Sequence, residues 1–148
     1  MKAFRILIVV GLIAAGCAAH PDSATRLPDR EDLIPARQAK ILPKADAYPP
    51  RSESREYKDP VPLPYPVNTA GAEDSAFILP DGDTLYFWFT PDGKRPVEEQ
   101  AADGVTGIYV THRLESVWQE PRRVLLQNPG RLALDGCTFV RNDVMWFC

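Results

Sequence analysis

The chain has 148 residues, of which 45% are apolar, with 17 basic and 20 acidic side chains and a net charge of −3. That length allows one domain of ordinary size. A mildly acidic, evenly mixed composition carries no electrostatic footprint for nucleic acid, and a pair such as Arg122-Arg123 is too short to override it, reading instead as a solvated strand end.

Lys2 and Arg5 open the chain with positive charge, residues 6–15 form a short apolar run, and Ala14-Ala15-Gly16-Cys17 ends it in small residues. That order is the order of a secretory signal, too short for a spanning helix; the alternative is a buried N-terminal helix. IAAGC, residues 13–17, resembles the lipobox of bacterial lipoproteins at Ala15, Gly16 and Cys17, and departs from it at Ala14, where that family prefers a branched residue. The resemblance implies that residues 1–16 are a signal peptide and that Cys17 is lipidated as the first mature residue. The partner is then the membrane itself, held through more than one acyl chain at about 0.8 kcal/mol per buried methylene. The location implied is the cell envelope, and Ala18 after the cysteine favours the outer membrane if the cell is Gram-negative. Plain cleavage nearby is the rival reading. Without Lys2 and Arg5 the remainder carries −5.

Residues 17–69 read as a proline-rich extended linker. Ten of the fifteen prolines lie between Pro21 and Pro66, and PVPLPYPV, residues 60–67, has proline at every second position. Proline lacks an amide proton and fixes φ, so the segment is expected as a disordered, polyproline-like tether holding a domain away from a membrane. A specific proline-rich ligand is the alternative. Residues 33–42 could add one or two helical turns.

From residue 70 to 148 the texture is β. SAFIL, PDGD and TLYFWF, residues 75–89, read as a hairpin around Asp81-Gly82, expected as a two-residue type I′ turn that pairs Ile78 with Leu85 and Phe77 with Tyr86. One face would carry Ala76, Ile78, Leu85, Phe87 and Phe89, the other Phe77, Leu79, Tyr86 and Trp88, so both faces need a cover. Residues 90–106 read as a long polar loop and residues 107–113 as a third strand. Residues 114–126 hold a turn, a short strand around Trp118 and an exit bounded by Pro121. A loop then leads into a second hairpin, LALDGCTFVRNDVMWFC, turning at Asn142-Asp143.

The two hairpins align: Asp74 falls on Asp135, Ser75 on Gly136, Ile78 on Phe139, and Leu85-Tyr86-Phe87 on Val144-Met145-Trp146. A recurring unit of four short strands, greasy on both faces, is the signature of a propeller blade. EDSAFILPDGDTLYF followed by GIYVTHRLESVWQEPRRV resembles the PD40 (WD40-like, TolB-type) β-propeller repeat family over residues 72–126, with a partial second copy at 134–148. The resemblance implies an all-β fold: an antiparallel four-stranded blade-like sheet and part of a next blade. Blades run about 40–50 residues and closed propellers need roughly four or more, so the expectation is a piece of a longer propeller. The alternative is a half-blade completed by another copy, the oligomeric state being open.

Among chemistry-bearing residues, Cys137 and Cys148 stand out as a candidate disulfide, because a two-residue turn at Asn142-Asp143 sets them opposite each other in an exported protein. The alternative is two buried free thiols. Asp74, Asp81, Asp83, Asp92 and Asp103 sit where turns require Asp, which leaves no need for a metal. His112 reads as a surface strand histidine, with Arg113, Glu115 and Glu120 nearby in sequence, and His20 lies in the linker. Tyr86, Trp88, Tyr109, Trp118 and Trp146 read as interblade core, with sugar stacking as the alternative. No catalytic residue, metal or cofactor is expected. The function expected is a non-catalytic, protein- or glycan-binding or scaffold role in an exported lipoprotein. The alternative is the first part of a propeller-fold glycoside hydrolase, which would need two carboxylates roughly 5–9.5 Å apart across a cleft.

Overall fold

The structure is a computed structural model that describes residues 27–127 and 134–148. The signal segment, Cys17 and His20 lie outside those residues. In chain order the elements are β1 (Ala72–Ile78), β2 (Thr84–Thr90), α1 (Val97–Ala102), β3 (Gly107–Leu114), β4 (Val117–Trp118), β5 (Arg122–Arg123), β6 (Phe139–Arg141) and β7 (Val144–Trp146). The fold is all-β in character: an antiparallel meander β1-β2-β3-β4, with β5 also paired to β3, and a separate two-stranded sheet β6-β7.

β4 and β5 are two pieces of one outer strand. β4 pairs with Arg113 and Leu114, while β5 pairs with Tyr109 and Val110. Pro121 falls between them, and a residue without an amide proton cannot continue the ladder. The bonds from Gln119 N–H to the His112 carbonyl (2.9 Å) and from Val124 N–H to the Ile108 carbonyl (2.8 Å) carry the pairing across the break.

The first hairpin has the expected register, Ile78 with Leu85 and Phe77 with Tyr86. Its turn differs. Gly82 N–H donates to the Leu79 carbonyl at 2.9 Å, and Leu79 N–H donates to the Thr84 carbonyl at 2.8 Å. The loop is therefore four residues, 80–83. Pro80 sits at the second turn position, where its fixed φ fits, and only Gly82 of the two central candidates is left-handed (φ 73). The two-residue turns with both residues left-handed occur at Glu115 and Ser116 (φ 48 and 70) and at Asn142 and Asp143 (φ 50 and 61).

β1 also carries a bulge between Asp74 and Phe77, with Ser75 at φ 51. The extra residue breaks the alternation expected for β1: Ala76 is exposed and Ile78 is 50% exposed. β2 keeps its alternation. Leu85, Phe87 and Phe89 are buried, and Tyr86 and Trp88 are half-buried.

The core gathers Leu85, Phe87 and Phe89 with Val105, Tyr109, Trp118 and Val67, and Leu33 and Ile34 pack against it. Fully burying one such aromatic contributes about 1.5–3 kcal/mol. Gly71 is needed beside it, since a Cβ there would lie 2.5 Å from the Phe89 ring.

Val67, Leu33 and Ile34 belong to the linker, which corrects the picture of a free tether. Among its described residues, 27–69, there is neither helix nor strand; the turns at residues 31–34, 35–38 and 42–46 are isolated. Both ends nevertheless dock on the sheet, with Arg30, Pro66, Val67 and Thr69 buried, while residues 43–63 are largely exposed. A half-apolar sheet face must be covered by something, and here the chain's own linker covers it.

The loop 90–106 is also more ordered than its composition suggests. It contains α1, begun by Pro96 with Glu98 and Glu99 in its first turn, where proline and acidic side chains suit a helix start. Arg123 ties the end of this loop down, donating to the carbonyls of Gly104 and of Thr106 (2.8 Å). Arg123 is thus half-buried and structural rather than a solvated strand end.

Candidate functional site

The most unusual side chain in the structure is Arg30. The linker brings it onto the aromatic floor made by β2 and β3, where it is 3% exposed. Its guanidinium carbon lies 5.8, 5.1 and 5.8 Å from the ring centroids of Phe87, Phe89 and Tyr109. A cation held over aromatic faces gains roughly 0.5–2 kcal/mol, more when desolvated. One Nη donates to the Pro66 carbonyl. The carboxylates of Glu73 and Glu120 each lie 3.7 Å away, close enough for charge but too far for a hydrogen bond, so Nε and Nη1 have no bonded partner among the described residues.

The acids around Arg30 form one cluster. Partial burial raises the Glu120 carboxyl above its ordinary value; Arg30 opposes this, and Glu31 and Asp29 add to it. Glu31 likewise raises the Tyr65 phenol by its charge and by a hydrogen bond. Glu73 is committed elsewhere, accepting from Thr69 N–H (3.0 Å) and Thr69 Oγ1 (2.6 Å). Arg30 therefore latches the linker to the sheet.

Next to this latch an open groove of about 600 Å³ lies between linker residues 37–41 and the loops at 68–72 and 92–94. Three cations line it. Lys40 donates to the Asn68 carbonyl at 2.5 Å; Arg37, its side chain 81% exposed, reaches Asp92 at 3.2 Å, and Lys94 is exposed as well. Asp92 is buried and also caps its own turn by accepting from Lys94 N–H at 3.0 Å. Gln38 donates to the Ala70 carbonyl at 2.6 Å. One carboxylate, Asp92, offsets the three cations, so the groove is net positive.

The aspartates read from the sequence are spread among separate turns. Asp81 accepts from Asp83 N–H (2.8 Å), Thr84 N–H (2.9 Å) and Thr84 Oγ1 (2.9 Å), and these bonds hold its carboxyl below the ordinary range. Asp103 repeats the arrangement with Val105 N–H (2.8 Å), Thr106 N–H (2.7 Å) and Thr106 Oγ1 (2.6 Å). Asp-Gly-x-Thr at residues 81–84 and 103–106 is the signal for both turns. Asp83 pairs with Arg113 at 2.9 Å, and Arg113 lies 5.4 Å from the Trp118 ring centroid. His112 is exposed and contacts Thr84 Oγ1 at 3.2 Å through Nδ1. Among the described residues no three His, Cys, Asp or Glu side chains gather as metal ligands.

The aromatic set divides. Tyr109 and Trp118 are core, with Tyr109 O–H donating to the Val105 carbonyl at 2.8 Å. Tyr86 and Trp88 are half-buried, and Trp146 is 51% exposed beside Phe139 (centroids 5.6 Å). Cys137 and Cys148 are both exposed free thiols rather than buried ones.

Compared with known proteins, the chain matches no family model, no curated protein and no solved structure.

Proposed function

We propose that the protein is a cell-envelope lipoprotein anchored through Cys17, whose β domain is a non-catalytic module that binds a protein or glycan partner or acts as a scaffold. The observation that carries the binding role is the open groove of about 600 Å³ that bears Arg37, Lys40 and Lys94 against a single carboxylate, Asp92. A concave surface with an excess of positive charge draws in a partner of opposite charge. A partner rich in carboxylate or phosphate suits it. The blade reading is part of the proposal: four antiparallel strands with a broken outer strand are what one PD40-like blade contains, and the second hairpin is the start of another.

Two measurements test this. Cells fed a labelled fatty acid should label the wild-type chain and not Cys17→Ser; an unlabelled wild-type chain sinks the anchor. Full-length protein should co-sediment with insoluble envelope glycan or capture an envelope protein, and Arg37→Ala/Lys40→Ala should reduce capture at least ~10-fold, the effect of losing two charge-assisted contacts. Equal capture by the double variant removes the groove from the proposal.

A further inference from the structure

We propose that Cys137 and Cys148 form a reversible intramolecular disulfide that fastens the open end of the β6–β7 hairpin. The inference stands on the hairpin geometry and does not need the groove or the lipid anchor. Gly136 and Cys148 exchange both backbone hydrogen bonds, at 2.8 and 3.0 Å. The next ladder pair is Phe139 with Trp146. Three steps on one strand thus span two on the other, and the extra residue is absorbed where Cys137 turns left-handed (φ 53). The sequence register alone sets Cys137 opposite Cys148; the structure sets Gly136 there and Cys137 in a bulge beside it.

The bulge leaves Cys137 next to Gly136, the ladder partner of Cys148, and both thiols are exposed. Cys148 raises the Cys137 thiol above its ordinary value, as a neighbouring thiol does. The hairpin is held from its other side, where Thr138 is buried and Phe139 meets Phe77 edge-on with centroids 5.1 Å apart. A bridge therefore needs no change of strand pairing. Its role is to close a two-stranded sheet that is marginal alone.

The chemistry is thiol–disulfide exchange with a small-molecule disulfide such as oxidised glutathione. Cys148 raises the Cys137 thiol above its ordinary value, and either thiol, once deprotonated, can start the exchange; in one order Cys148 does. It attacks one glutathione sulfur, forms a mixed disulfide and expels one glutathione thiolate. Cys137 then loses its proton, attacks the Cys148 sulfur and expels the second. One S–S bond forms and one breaks, and the two protons from the protein thiols end on the two glutathiones. An exposed disulfide of this kind exchanges readily in both directions.

The test uses the full chain carrying Cys17→Ser, so that two thiols remain, equilibrated in glutathione buffers and quenched with acid. The expected product is a monomer two hydrogens lighter than the dithiol and fully reversed by dithiothreitol. Cys137→Ser and Cys148→Ser should each give a single glutathione adduct instead. Persistent dithiol, a doubly glutathionylated chain or a chain-to-chain dimer as main product overturns the proposal. The same buffers in urea supply a control for folding: the preference for the bridge should fall when the hairpin unfolds, and an unchanged preference also overturns it.

Discussion

The hairpins β1–β2 and β6–β7 start from similar sequence and share a backbone feature, a left-handed residue on the incoming chain: Ser75 within β1 at φ 51 and Cys137 two residues before β6 at φ 53. Their surroundings differ. β2 is paired on both edges and has the linker across one face, so Leu85, Phe87 and Phe89 are buried. β6 and β7 pair only with each other, and Phe139, Val144 and Trp146 are each about half exposed (46, 49 and 51%). Apolar strands announce that a cover is needed and say nothing about what supplies it. In this protein the cover for the first hairpin comes from residues 27–42 and 66–69, the part of the sequence that looks least like a folded domain.

The largest effect should come from testing that asymmetry directly. Phe89→Ala removes a fully buried ring and should cost about 3–5 kcal/mol in urea unfolding. Trp146→Ala in the second hairpin should cost under about 1 kcal/mol, because half of its ring is already in water. Equal costs would mean that the second hairpin is as well covered as the first.

The next test concerns the cover. Arg30→Ala leaves Glu73 without its cation and uncovers three rings, for an expected loss of about 3 kcal/mol. Arg30→Met keeps an apolar stem over the rings and removes a guanidinium two of whose nitrogens have no hydrogen-bond partner among the described residues. It should be close to neutral. Proteolysis separates the outcomes further: Arg30→Ala should expose residues 27–42 to cleavage, while wild type and Arg30→Met resist. A linker cut equally fast in all three would show that it does not cover the sheet.

How far the sequence disclosed this arrangement can be followed residue by residue. The strand registers were legible because Pro80, Asp81 and Gly82 constrain a turn and the flanking side chains alternate. The two-residue I′ assignment failed because Pro80 favours a type I turn at its own position, which lengthens the loop while leaving the pairs unchanged. The bulges were not legible: one extra residue in an apolar strand leaves no local mark unless a glycine or asparagine occupies it, and here Ser75 and Cys137 do. Helix α1 was hidden in a polar segment, although Pro96 followed by Glu98 and Glu99 marks its start. The latch was invisible for a different reason. Arg30 looks like any linker charge until the tertiary fold brings three aromatic rings beneath it, and the groove with Arg37 and Lys40 depends on the same long-range docking.

Alkaline pH reads the same buried face with a smaller effect. Burial pushes the Tyr109 phenol up to about 12 from an ordinary 10.0. The folded state therefore keeps its proton after the unfolded chain has begun to lose it. The stability associated with neutral Tyr109 is whole below pH 10 and is lost as pH rises towards 12, a change of about 2–3 kcal/mol. Unfolding followed by tyrosinate absorbance should show this fall in wild type, and Tyr109→Phe should flatten it at the cost of the bond to the Val105 carbonyl. A wild-type curve already flat between pH 10 and 12 would mean that water reaches the ring, and with it the floor beneath Arg30.

The smallest effects belong to the two Asp-Gly-x-Thr turns, which do for the loops what the latch does for the linker. Asp103 is half-buried and its three bonds start β3 beside the core residue Val105 and the buried Thr106, whose hydroxyl oxygen also lies 2.9 Å from Thr90 Oγ1 and accepts from it. Asp103→Ala should cost about 1–2 kcal/mol, as losing a cap does. Asp81 makes the same three bonds in full solvent, so Asp81→Ala should cost less. The carboxyl of Asp81 also supplies a pH signature. Its folded value lies below the ordinary 3.8, so the stabilisation is present above that pH and fades as acid takes it through the folded value. The Asp81→Ala curve should meet that of wild type at the acid end. If Asp81→Ala instead proves the more damaging of the two, the exposed turn rather than the core-facing one sets the register of the sheet, and the ranking of buried over exposed that separates the two hairpins does not extend to their turns.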